Sequence, residues 1–504
     1  MSEANTRRNT TLADGVKDAV KMASVVKNGG ALAAFSDATS FRKSIFQTGL
    51  FEVDVNLRPM FGSRIQLLGE AHKGKSLLSY IMMGSAHRTC RQCMTPIIDF
   101  VHDWTGEVVK TCKCGANDPM RVLLLDSENS FDPAWANVWG VNIDPEFDEK
   151  KGEHAEEVME NVWLTPDSTF VLIRGADADQ ARVVVENMIR GGGVDLVVID
   201  SLANLVPNSR REGKMMIGDH AKAISQFVTA VVGAQGEAAN LDGVAPTLLM
   251  INQYRVKIGG FAGPFGTPVQ ETGGKALQYN NSISWDLKTK YNDGKFDPND
   301  PTYKFGDSTL AVKKDKESGA TGARASYRFY TNPYTHKGVE YGPGDTDEGS
   351  KIFSFLKELG KLDDRWFQKK SNKYVIFGRE FSKVSEIAQF LSRRDVGHLM
   401  RFPIYAAKYP PTLRKHLRPE LYNYTPFTDD PILEMYEEAE KLVGSNVQSR
   451  IRVSEPVMLG KGPKKKAGRK PATESLAKGL ISDERKEPES GSPDGAEASD
   501  VDGA

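Results

Sequence analysis

The chain has 504 residues, of which 39% are hydrophobic, 26% charged and 9% aromatic, values typical of a globular protein with two to four domains. No apolar run approaches the roughly 18 residues that a membrane-spanning helix needs, which excludes a protein built on such helices. The 66 Lys and Arg residues balance 67 Asp and Glu residues, so any nucleic-acid binding must come from local basic patches. The N-terminal residues lack the apolar core of a secretory signal, and we therefore expect a cytoplasmic protein.

The segment between residues 46 and 340 shows the pattern of an α/β domain. Short runs rich in β-branched and aliphatic residues alternate there with helical stretches, which predicts a mostly parallel central sheet with crossover helices on both faces. Continuous apolar runs such as LVVID are typical of strands buried on both sides. A polar residue closes each run, and folds of this kind bind ligands at the carboxyl edge of the sheet. We therefore expect the functional residues at that edge.

The flanking segments differ from this core in composition. The first 45 residues are polar to alanine-rich, and we interpret them as an N-terminal arm. Residues 345–450 are charged and helical with short strand-like runs, which predicts a small α+β C-terminal domain. From residue 455 to residue 504 apolar residues become sparse and a basic block precedes an acidic one, which predicts a disordered tail.

Residues 69–76 form a candidate phosphate site. They fit the pattern G-x-x-x-x-G-K-[ST] directly after the strand-like run RIQLL and at the start of a helical stretch. In this motif the glycines allow a tight turn that faces backbone N–H groups toward phosphates, while the Lys supplies a cation and the Ser a Mg²⁺ ligand. The predicted nucleotide-binding residues are Gly69, Glu70, Ala71, His72, Lys73, Gly74, Lys75 and Ser76.

Two carboxylates follow buried strand-like runs downstream of this motif. Asp200 ends the run DLVVID, where a carboxylate can join a Mg²⁺ site or simply cap a helix. Glu128 is the leading candidate to orient and activate an attacking water, with Asp126 or a capping role as the alternatives. Because the carboxyl ends of parallel strands meet at one edge, we expect both residues beside the phosphate loop.

All four cysteines fall within one insertion, residues 87–118. They are arranged as C-x-x-C and then C-x-C, a pattern that suits a structural Zn²⁺ held by two thiolate pairs in a ribbon: Cys90, Cys93, Cys112 and Cys114. The second pair is one residue short of the usual spacing, so His87 or His102 could replace a ligand. A redox pair or buried free thiols are the other interpretations. The cluster predicts no catalytic role.

Taken together, these segments resemble the RecA family of homologous-recombination ATPases, particularly its phage-encoded members. The resemblance covers about residues 45–335, through FQTGLFEVDVNL, the phosphate loop, LLLDSENSFDPAWANVWGVNID and DLVVIDSLANLVP. Its most specific part is residues 251–288, which resemble the family's strand, second DNA-binding loop and following helix start. A phosphate loop occurs in many nucleotide-binding proteins, whereas this segment distinguishes recombinases from generic NTPases.

The resemblance implies roles for residues of the nucleotide site. Glu128 corresponds to the catalytic glutamate, and Asp200 assists Mg²⁺. Gln253 corresponds to a γ-phosphate sensor that leads into the DNA loop, so contact with ATP could order that loop. Trp135 falls where the family stacks an aromatic ring on adenine, although it could equally belong to the core.

A basic pair resembles residues that reach from one protomer onto the ATP of its neighbour. Lys314 and Lys316 match this pair, as an arginine finger would act, while an exposed lysine pair is the simpler interpretation. Arg324 follows closely and is a possible substitute. Gln278 stands where bacterial members often carry a second lysine.

Two segments resemble the DNA-binding loops that line the filament axis. Their cations neutralise phosphates and an aromatic residue can wedge between bases, which gives salt-sensitive binding that is largely independent of sequence. The residues concerned are Arg210, Arg211 and Lys214 in the first segment and Arg255, Lys257 and Phe265 in the second.

The resemblance implies a DNA-dependent ATPase that forms filaments on single-stranded DNA and pairs that strand with homologous duplex. Its cofactors would be ATP and Mg²⁺, beside the structural Zn²⁺ that the cysteine spacing predicts. Its partners would be single-stranded and duplex DNA and further copies of itself, joined through the arm 1–45. Its location would be the cytosol of a bacterial host if it is phage-encoded. The pair His72-Lys73, the cysteine insertion and the C-terminal domain depart from the family pattern. The basic block of the tail could add DNA contacts and its acidic end could compete with DNA, although a solvated tail is the simpler interpretation.

Two other functions are the alternatives to a recombinase: a replicative-helicase-like ring motor and an ATP-switched interaction protein.

Overall fold

The computed structural model describes most of the chain between residues 46 and 392. The described residues are 46–92, 94, 97–101, 108–112, 114–148, 155–207, 219–242, 245–256, 269–271, 274–291, 304–336, 338–361, 364, 366–376 and 379–392. All of them fall within one compact unit, Met1–Pro456. The predicted arm 1–45, the end of the predicted C-terminal domain and the tail 455–504 lie outside the described residues. Among the helices that are described, none is long and apolar enough to cross a membrane.

The described elements alternate between strands and helices through the core. The strands are β1 (Arg64–Leu68), β2 (Ile98–Val101), β3 (Val108–Thr111), β4 (Val122–Asp126), β5 (Glu156–Met159), β6 (Val162–Leu164), β7 (Phe170–Arg174), β8 (Leu196–Asp200), β9 (Thr247–Ile251), β10 (Tyr254–Val256), β11 (Val269–Glu271), β12 (Ile283–Tyr291), β13 (Phe305–Asp315), β14 (Arg324–Tyr330), β15 (Tyr334–His336), β16 (Val339–Tyr341), β17 (Gln368–Lys370), β18 (Lys373–Ile376) and β19 (Arg379–Phe381). The helices are α1 (Phe51–Asn56), α2 (Lys75–His87), α3 (Pro133–Val138), α4 (Ala178–Arg190), α5 (Asp219–Asp242), α6 (Gly274–Asn280), α7 (Glu348–Gly360) and α8 (Val384–Ser392).

Ten strands form one central sheet in the order β14-β13-β12-β1-β9-β8-β4-β7-β6-β5. The six strands from β12 to β7 are parallel to one another, and antiparallel strands extend the sheet on both sides. The predicted α/β class with a mostly parallel central sheet is therefore confirmed. The antiparallel extensions were not anticipated, because strand direction depends on which strands become neighbours in space.

The sheet is buried on both faces. In β8, Leu196 and Val198 belong to one hydrophobic cluster and Val197 and Ile199 to another, because successive side chains of a strand point to opposite faces. Helix α2 packs into the first cluster, and α4 and α5 pack into the second. The continuous apolar runs follow from this arrangement, since no face of these strands meets water.

Smaller elements surround this core. Strands β2 and β3 form an antiparallel ribbon between α2 and β4, at the position of the predicted insertion. Strands β10 and β11 form a hairpin that brackets residues 257–268. Beyond the core, α7 packs against α1 through the rings of Phe51 and Phe355, whose centroids lie 5.2 Å apart, and β17, β18 and β19 form a separate three-stranded sheet. The predicted boundaries of the C-terminal domain stay a prediction.

Candidate nucleotide site and cysteine cluster

The phosphate loop connects β1 to α2 at the carboxyl edge of the sheet. Gly74 is the N-cap of α2 with φ of 77°, a left-handed conformation that favours glycine, and no side chain caps this end of the helix. A Cβ atom at Gly69 would lie 2.9 Å from the Leu287 carbonyl oxygen, so strand β12 requires a glycine there. The helix N-terminus is thus held open toward a potential anion.

Lys75 is folded back over this loop. Its Nζ donates to the carbonyl oxygens of Gly69, at 3.2 Å, and Glu70, at 2.6 Å. The residue is only 6% exposed, and burial lowers the pKa of its ammonium group, while nearby Asp200 and Glu128 act to raise it. A desolvated cation held by neutral carbonyl groups is well suited to exchange them for an anionic ligand.

Strand β12 supports the loop from the side. The Thr289 Oγ1 donates to the Lys73 carbonyl oxygen at 2.8 Å, and the Tyr291 hydroxyl donates to the His72 carbonyl oxygen at 3.0 Å. The side chains of Glu70, Ala71 and His72 face solvent. Sequence reasoning missed Thr289 and Tyr291, because they lie more than 200 residues from the loop and carry no motif of their own.

Asp200 ends β8 beside the first turn of α2. It is 5% exposed, and its carboxylate accepts a hydrogen bond from the Ser76 side chain. Burial raises the pKa of Asp200 to about 7, with further contributions from Glu128 and Asp126, whereas the bond from Ser76 opposes the shift. A buried carboxylate next to a hydroxyl is a suitable ligand pair for Mg²⁺, whose charge would compensate the desolvated anion.

Glu128 lies at the same edge in a side-chain network. Its Oε1 accepts hydrogen bonds from the Ser201 Oγ at 2.6 Å and from the Gln253 Nε2 at 3.0 Å. The network brings together the loops that follow β4, β8 and β9. Sequence reasoning missed Ser201, although its position directly after Asp200 could have indicated it.

The alternative candidate Asp126 has a different environment. It is 2% exposed, and its carboxylate accepts backbone N–H groups of Ser130, at 3.2 Å, and Phe131, at 2.8 Å. Arg174 adds an ion pair, with Nε 3.0 Å from Oδ2. These bonds tie Asp126 to the loop that carries Glu128, which leaves Glu128 as the residue closest to the requirements of a water-orienting base.

Trp135 lies in α3 and is half-buried. Its ring meets that of Trp139 edge to face, with centroids 5.6 Å apart, and packs against the main hydrophobic cluster. Asp132 caps this helix by accepting the backbone N–H of Trp135 at 3.0 Å. The side chain thus contributes to the core, and stacking on adenine stays a prediction.

The predicted basic pair lies away from the phosphate loop, toward the amino edge of the sheet. Lys314 pairs in the backbone register with Ser284, near the start of β12. Its Nζ donates to the Asn281 carbonyl oxygen at 2.8 Å and also bonds the Asn281 Oδ1 and the Gln278 carbonyl oxygen. Lys316 is exposed, with its Nζ 3.5 Å from the Tyr279 carbonyl oxygen. Arg324, the possible substitute, is an exposed residue at the start of β14.

The predicted DNA-binding residues are only partly within the described chain. Arg255 lies in β10, opposite Gln270 of β11, at the base of the hairpin. The others lie outside the described residues: Arg210, Arg211, Lys214, Lys257 and Phe265.

Three cysteine sulfur atoms gather at the base of the β2–β3 ribbon. The Cys114 Sγ lies 3.7 Å from that of Cys90 and 3.6 Å from that of Cys112, and Cys90 and Cys112 are buried. A tetrahedral Zn²⁺ with Zn–S bonds of about 2.3 Å separates its ligands by about 3.8 Å, close to these distances. The backbone N–H of Asn117 points at the Cys112 Sγ, 3.4 Å away. Cys93 and His102 lie outside the described residues.

His87 is not available as a replacement ligand, because both ring nitrogens are engaged elsewhere. Its Nδ1 accepts the backbone N–H of Asn142 at 2.8 Å, and its Nε2 lies 3.3 Å from the Thr169 carbonyl oxygen. Burial lowers the pKa of His87 to about 4. This correction to the sequence interpretation arises from the tertiary position of the helix end.

The fold and the strand-to-helix loop define an α/β protein of the P-loop class. Residues 153–297 match the model of the RecA N-terminal domain. The chain is similar to Protein RecA of Chlorobaculum tepidum, with 32% identity over 168 residues, covering 33% of this chain and 39% of that protein. It is also similar to Protein RecA of Porphyromonas gingivalis, with 33% identity over 169 residues, covering 33% and 40% of the two chains. Protein RecA of Bifidobacterium breve is 32% identical over 254 residues, or 48% of this chain and 51% of that protein.

These matches confirm the resemblance to the RecA family that the motifs predicted. The chain spans about half or less of the length of the curated relatives it matches.

Proposed function

We propose that the protein is a DNA-dependent ATPase that forms filaments on single-stranded DNA and promotes homologous pairing and strand exchange. The observation that carries this proposal is the hydrogen bond from the Gln253 Nε2 to the Glu128 Oε1, 3.0 Å long. It lies at the edge of the sheet that also holds the phosphate loop. Gln253 immediately precedes the β10–β11 hairpin that brackets residues 257–268. One hydrogen bond therefore joins the candidate catalytic carboxylate to the segment that resembles a DNA-binding loop.

The residues of the carboxyl edge divide the chemistry of hydrolysis between them. The uncapped N–H groups of α2 and the Lys75 ammonium hold the phosphates, and Glu128 orients the attacking water. Ser76 and Asp200 would hold Mg²⁺, which when bound neutralises charge on the phosphate oxygens. Trp135 is proposed to contact the adenine ring.

Gln253 is proposed to sense the terminal phosphate. Its amide exchanges the Glu128 carboxylate for a phosphate oxygen when ATP occupies the site, which shifts the start of β10. The single-stranded DNA is then bound by the proposed DNA-binding residues: Arg210, Arg211, Lys214, Arg255, Lys257 and Phe265.

Lys314 and Lys316 are proposed to act on the ATP of a neighbouring protomer. Their position toward the amino edge keeps them from the phosphate loop of their own chain, so they reach a nucleotide only across an interface between copies. A filament of stacked copies provides that interface, and the arm 1–45 is proposed to join them.

The cysteine cluster is proposed to hold a structural Zn²⁺. The purified chain should contain about one zinc per protomer, and Cys112→Ser should lose it together with thermal stability. Ser79→Ala offers a control, since it removes a buried hydroxyl from α2 outside the cluster. Metal-free protein with unchanged stability would favour free thiols or a redox pair.

The proposed function is tested by ATP turnover with and without single-stranded DNA. Wild type should be stimulated by DNA, and Glu128→Gln should lose hydrolysis while it still binds ATP and DNA. Electron microscopy of the wild type with ATP and DNA should show helical filaments. Hexameric rings that unwind duplex would favour a helicase-like motor, and turnover that ignores DNA and survives Lys75→Ala would favour an ATP-switched interaction protein.

A further inference from the structure

Gln66 is a polar residue in the middle of the buried strand β1. It is 0% exposed, and its strand neighbours Ile65 and Leu67 pack into the cluster beneath α2. Gln66 therefore faces the opposite side of the sheet, where Leu277 of α6 packs. A fully buried amide at such a position needs hydrogen-bond partners on both its N–H₂ and its carbonyl group.

Both groups of this amide are satisfied by side chains from one downstream segment. The Gln66 Nε2 donates to the Glu271 Oε2 at 3.1 Å, and the Gln66 Oε1 accepts from the Asn281 Nδ2 at 2.6 Å. Glu271 is the last residue of β11 and so stands at the base of the hairpin that brackets residues 257–268. Asn281 follows the last residue of α6.

The hydrogen-bonded chain continues from Asn281 to the basic pair. The Asn281 backbone and side-chain oxygens both accept from the Lys314 Nζ. A series of four hydrogen-bonded side chains thus runs from the hairpin base to the lysine proposed to act across the interface: Glu271, Gln66, Asn281 and Lys314. The nearby Glu271 carboxylate also acts to raise the pKa of Lys314, against a larger opposing effect of burial.

The Gln66 amide fixes the direction of the hydrogen bonds that run from Glu271 to Lys314. Its N–H₂ group must face an acceptor and its carbonyl group a donor, so withdrawal of Glu271 leaves a buried donor unsatisfied, which costs free energy. The amide can recover this energy only by turning, which disturbs Asn281 and with it the oxygens that hold Lys314. Because the two hydrogen bonds share the Gln66 amide, we expect them to form and break together.

We propose that Gln66 is a positioning residue that couples the hairpin around residues 257–268 to Lys314. Engagement of DNA by the hairpin shifts Glu271, and the Gln66 amide transmits that shift to the lysine that acts on the neighbouring protomer's ATP. The coupling is reciprocal, so the state of Lys314 also changes the affinity for DNA. This inference rests on the proposed function and adds a route that does not pass through the contact between Glu128 and Gln253.

The test exchanges the amide of Gln66 and the carboxylate of Glu271, which are hydrogen-bonded to each other. Gln66→Glu places two carboxylates where one amide and one carboxylate now lie 3.1 Å apart, and we expect the stimulation of ATP turnover by single-stranded DNA to fall about tenfold. The fall should appear in kcat rather than in KM for ATP, because the phosphate loop is intact. Adding Glu271→Gln restores an amide and a carboxylate in reversed order, because the carboxylate introduced by Gln66→Glu still accepts from the Asn281 Nδ2. The double variant should recover most of the stimulation.

Gln235 provides a matched control. It is also buried, at 4% exposure, and its Nε2 donates to the Gly62 and Pro246 carbonyl oxygens, both at 2.8 Å. These two acceptors are not among the residues that connect Glu271 to Lys314. Gln235→Met should lower stability and leave the DNA stimulation ratio unchanged. Should Gln66→Glu fail to fold, Glu271→Ala is the second variant. It removes the half-buried carboxylate that accepts from Gln66 and is expected to show the same loss of stimulation.

The outcomes separate this inference from the proposed function. If wild type shows no stimulation by DNA, the proposed function fails by itself. If wild type is stimulated and folded Gln66→Glu or Glu271→Ala keeps the wild-type ratio, the coupling is overturned. A loss that the double exchange does not recover also overturns it, because a purely structural defect does not depend on the order of the two groups.

Discussion

Charged groups at the carboxyl edge of the sheet and at its amino edge are held in opposite ways. Lys75 and Asp200 are buried near each other beside the phosphate loop, and burial moves the pKa of each away from its usual value. At the amino edge Asp195, which precedes β8, accepts the Arg91 Nε at 3.1 Å and the Arg121 backbone N–H at 2.8 Å. The first set of charges is prepared for a ligand, whereas the second is satisfied within the protein.

The direction of the parallel strands explains this difference. At the carboxyl edge the loops lead into helix N-termini, which leave N–H groups open to anions. At the amino edge the strands begin, and side chains there tie the incoming segments together. Arg91 follows Cys90 and pairs with Asp195, so this ion pair fastens the cysteine cluster to the sheet. We therefore expect loss of the Arg91–Asp195 ion pair to affect stability and changes beside the phosphate loop to affect turnover.

The largest effect is expected from Asp195→Ala. This change leaves the Arg91 guanidinium, whose side chain is 6% exposed, buried without its carboxylate, and should lower the free energy of unfolding by about 3–5 kcal/mol. Urea denaturation measures this loss. Glu237→Ala is the control, because its pair with Arg190 is exposed and contributes less than about 1 kcal/mol. Equal losses in the two variants would contradict a bracing role for the amino edge.

The next effect is a pH dependence that originates at His87. Its folded pKa of about 4 lies below the ordinary value of 6.5, so the unfolded chain binds the proton first as the pH falls. The stabilisation is complete above pH 6.5 and is lost progressively toward pH 4, by roughly 3 kcal/mol. His87→Gln should flatten this part of the stability profile, measured by denaturation at several pH values. An unchanged profile would show that other groups titrate there.

Lys75→Ala should reduce ATP turnover about 100-fold or more, because it removes the cation that faces the phosphates. Its stability should equal or exceed that of the wild type, because the cost of burying the charge outweighs its attraction to Asp200 and Glu128. Steady-state kinetics and thermal melting together measure both expectations. A large loss of stability would remove the distinction between the two edges.

The smallest effect is expected from Thr289→Val. This change deletes the 2.8 Å hydrogen bond to the Lys73 carbonyl oxygen and should raise the KM for ATP a few-fold, with a loss of about 1 kcal/mol in stability. Initial-rate kinetics over a range of ATP concentrations checks this. Thr165→Val is a comparable control, because Thr165 makes its hydrogen bonds at the turn between β6 and β7. An equal rise in KM for that control would show that the effect is not local to the loop.

Much of the carboxyl edge could be predicted because its signals are local. The phosphate loop depends on glycine conformations within eight residues, and Glu128 and Asp200 follow apolar runs that could only be buried strands. The strand-end rule then places them together. The same rule could not separate Glu128 from Asp126, because their difference depends on Arg174, which belongs to a strand 48 residues away.

By itself the sequence determined the elements, the phosphate loop and the spacing of the cysteines, since each follows from periodicity or turn chemistry over a few residues. Only the tertiary structure decided which polar groups share a partner: the bond from Thr289 to the loop, the engagement of His87 and the burial of Gln66 between Glu271 and Asn281. The physical reason is that hydrogen bonds act over about 3 Å in space, while Gln66 and Asn281 stand 215 residues apart in the chain.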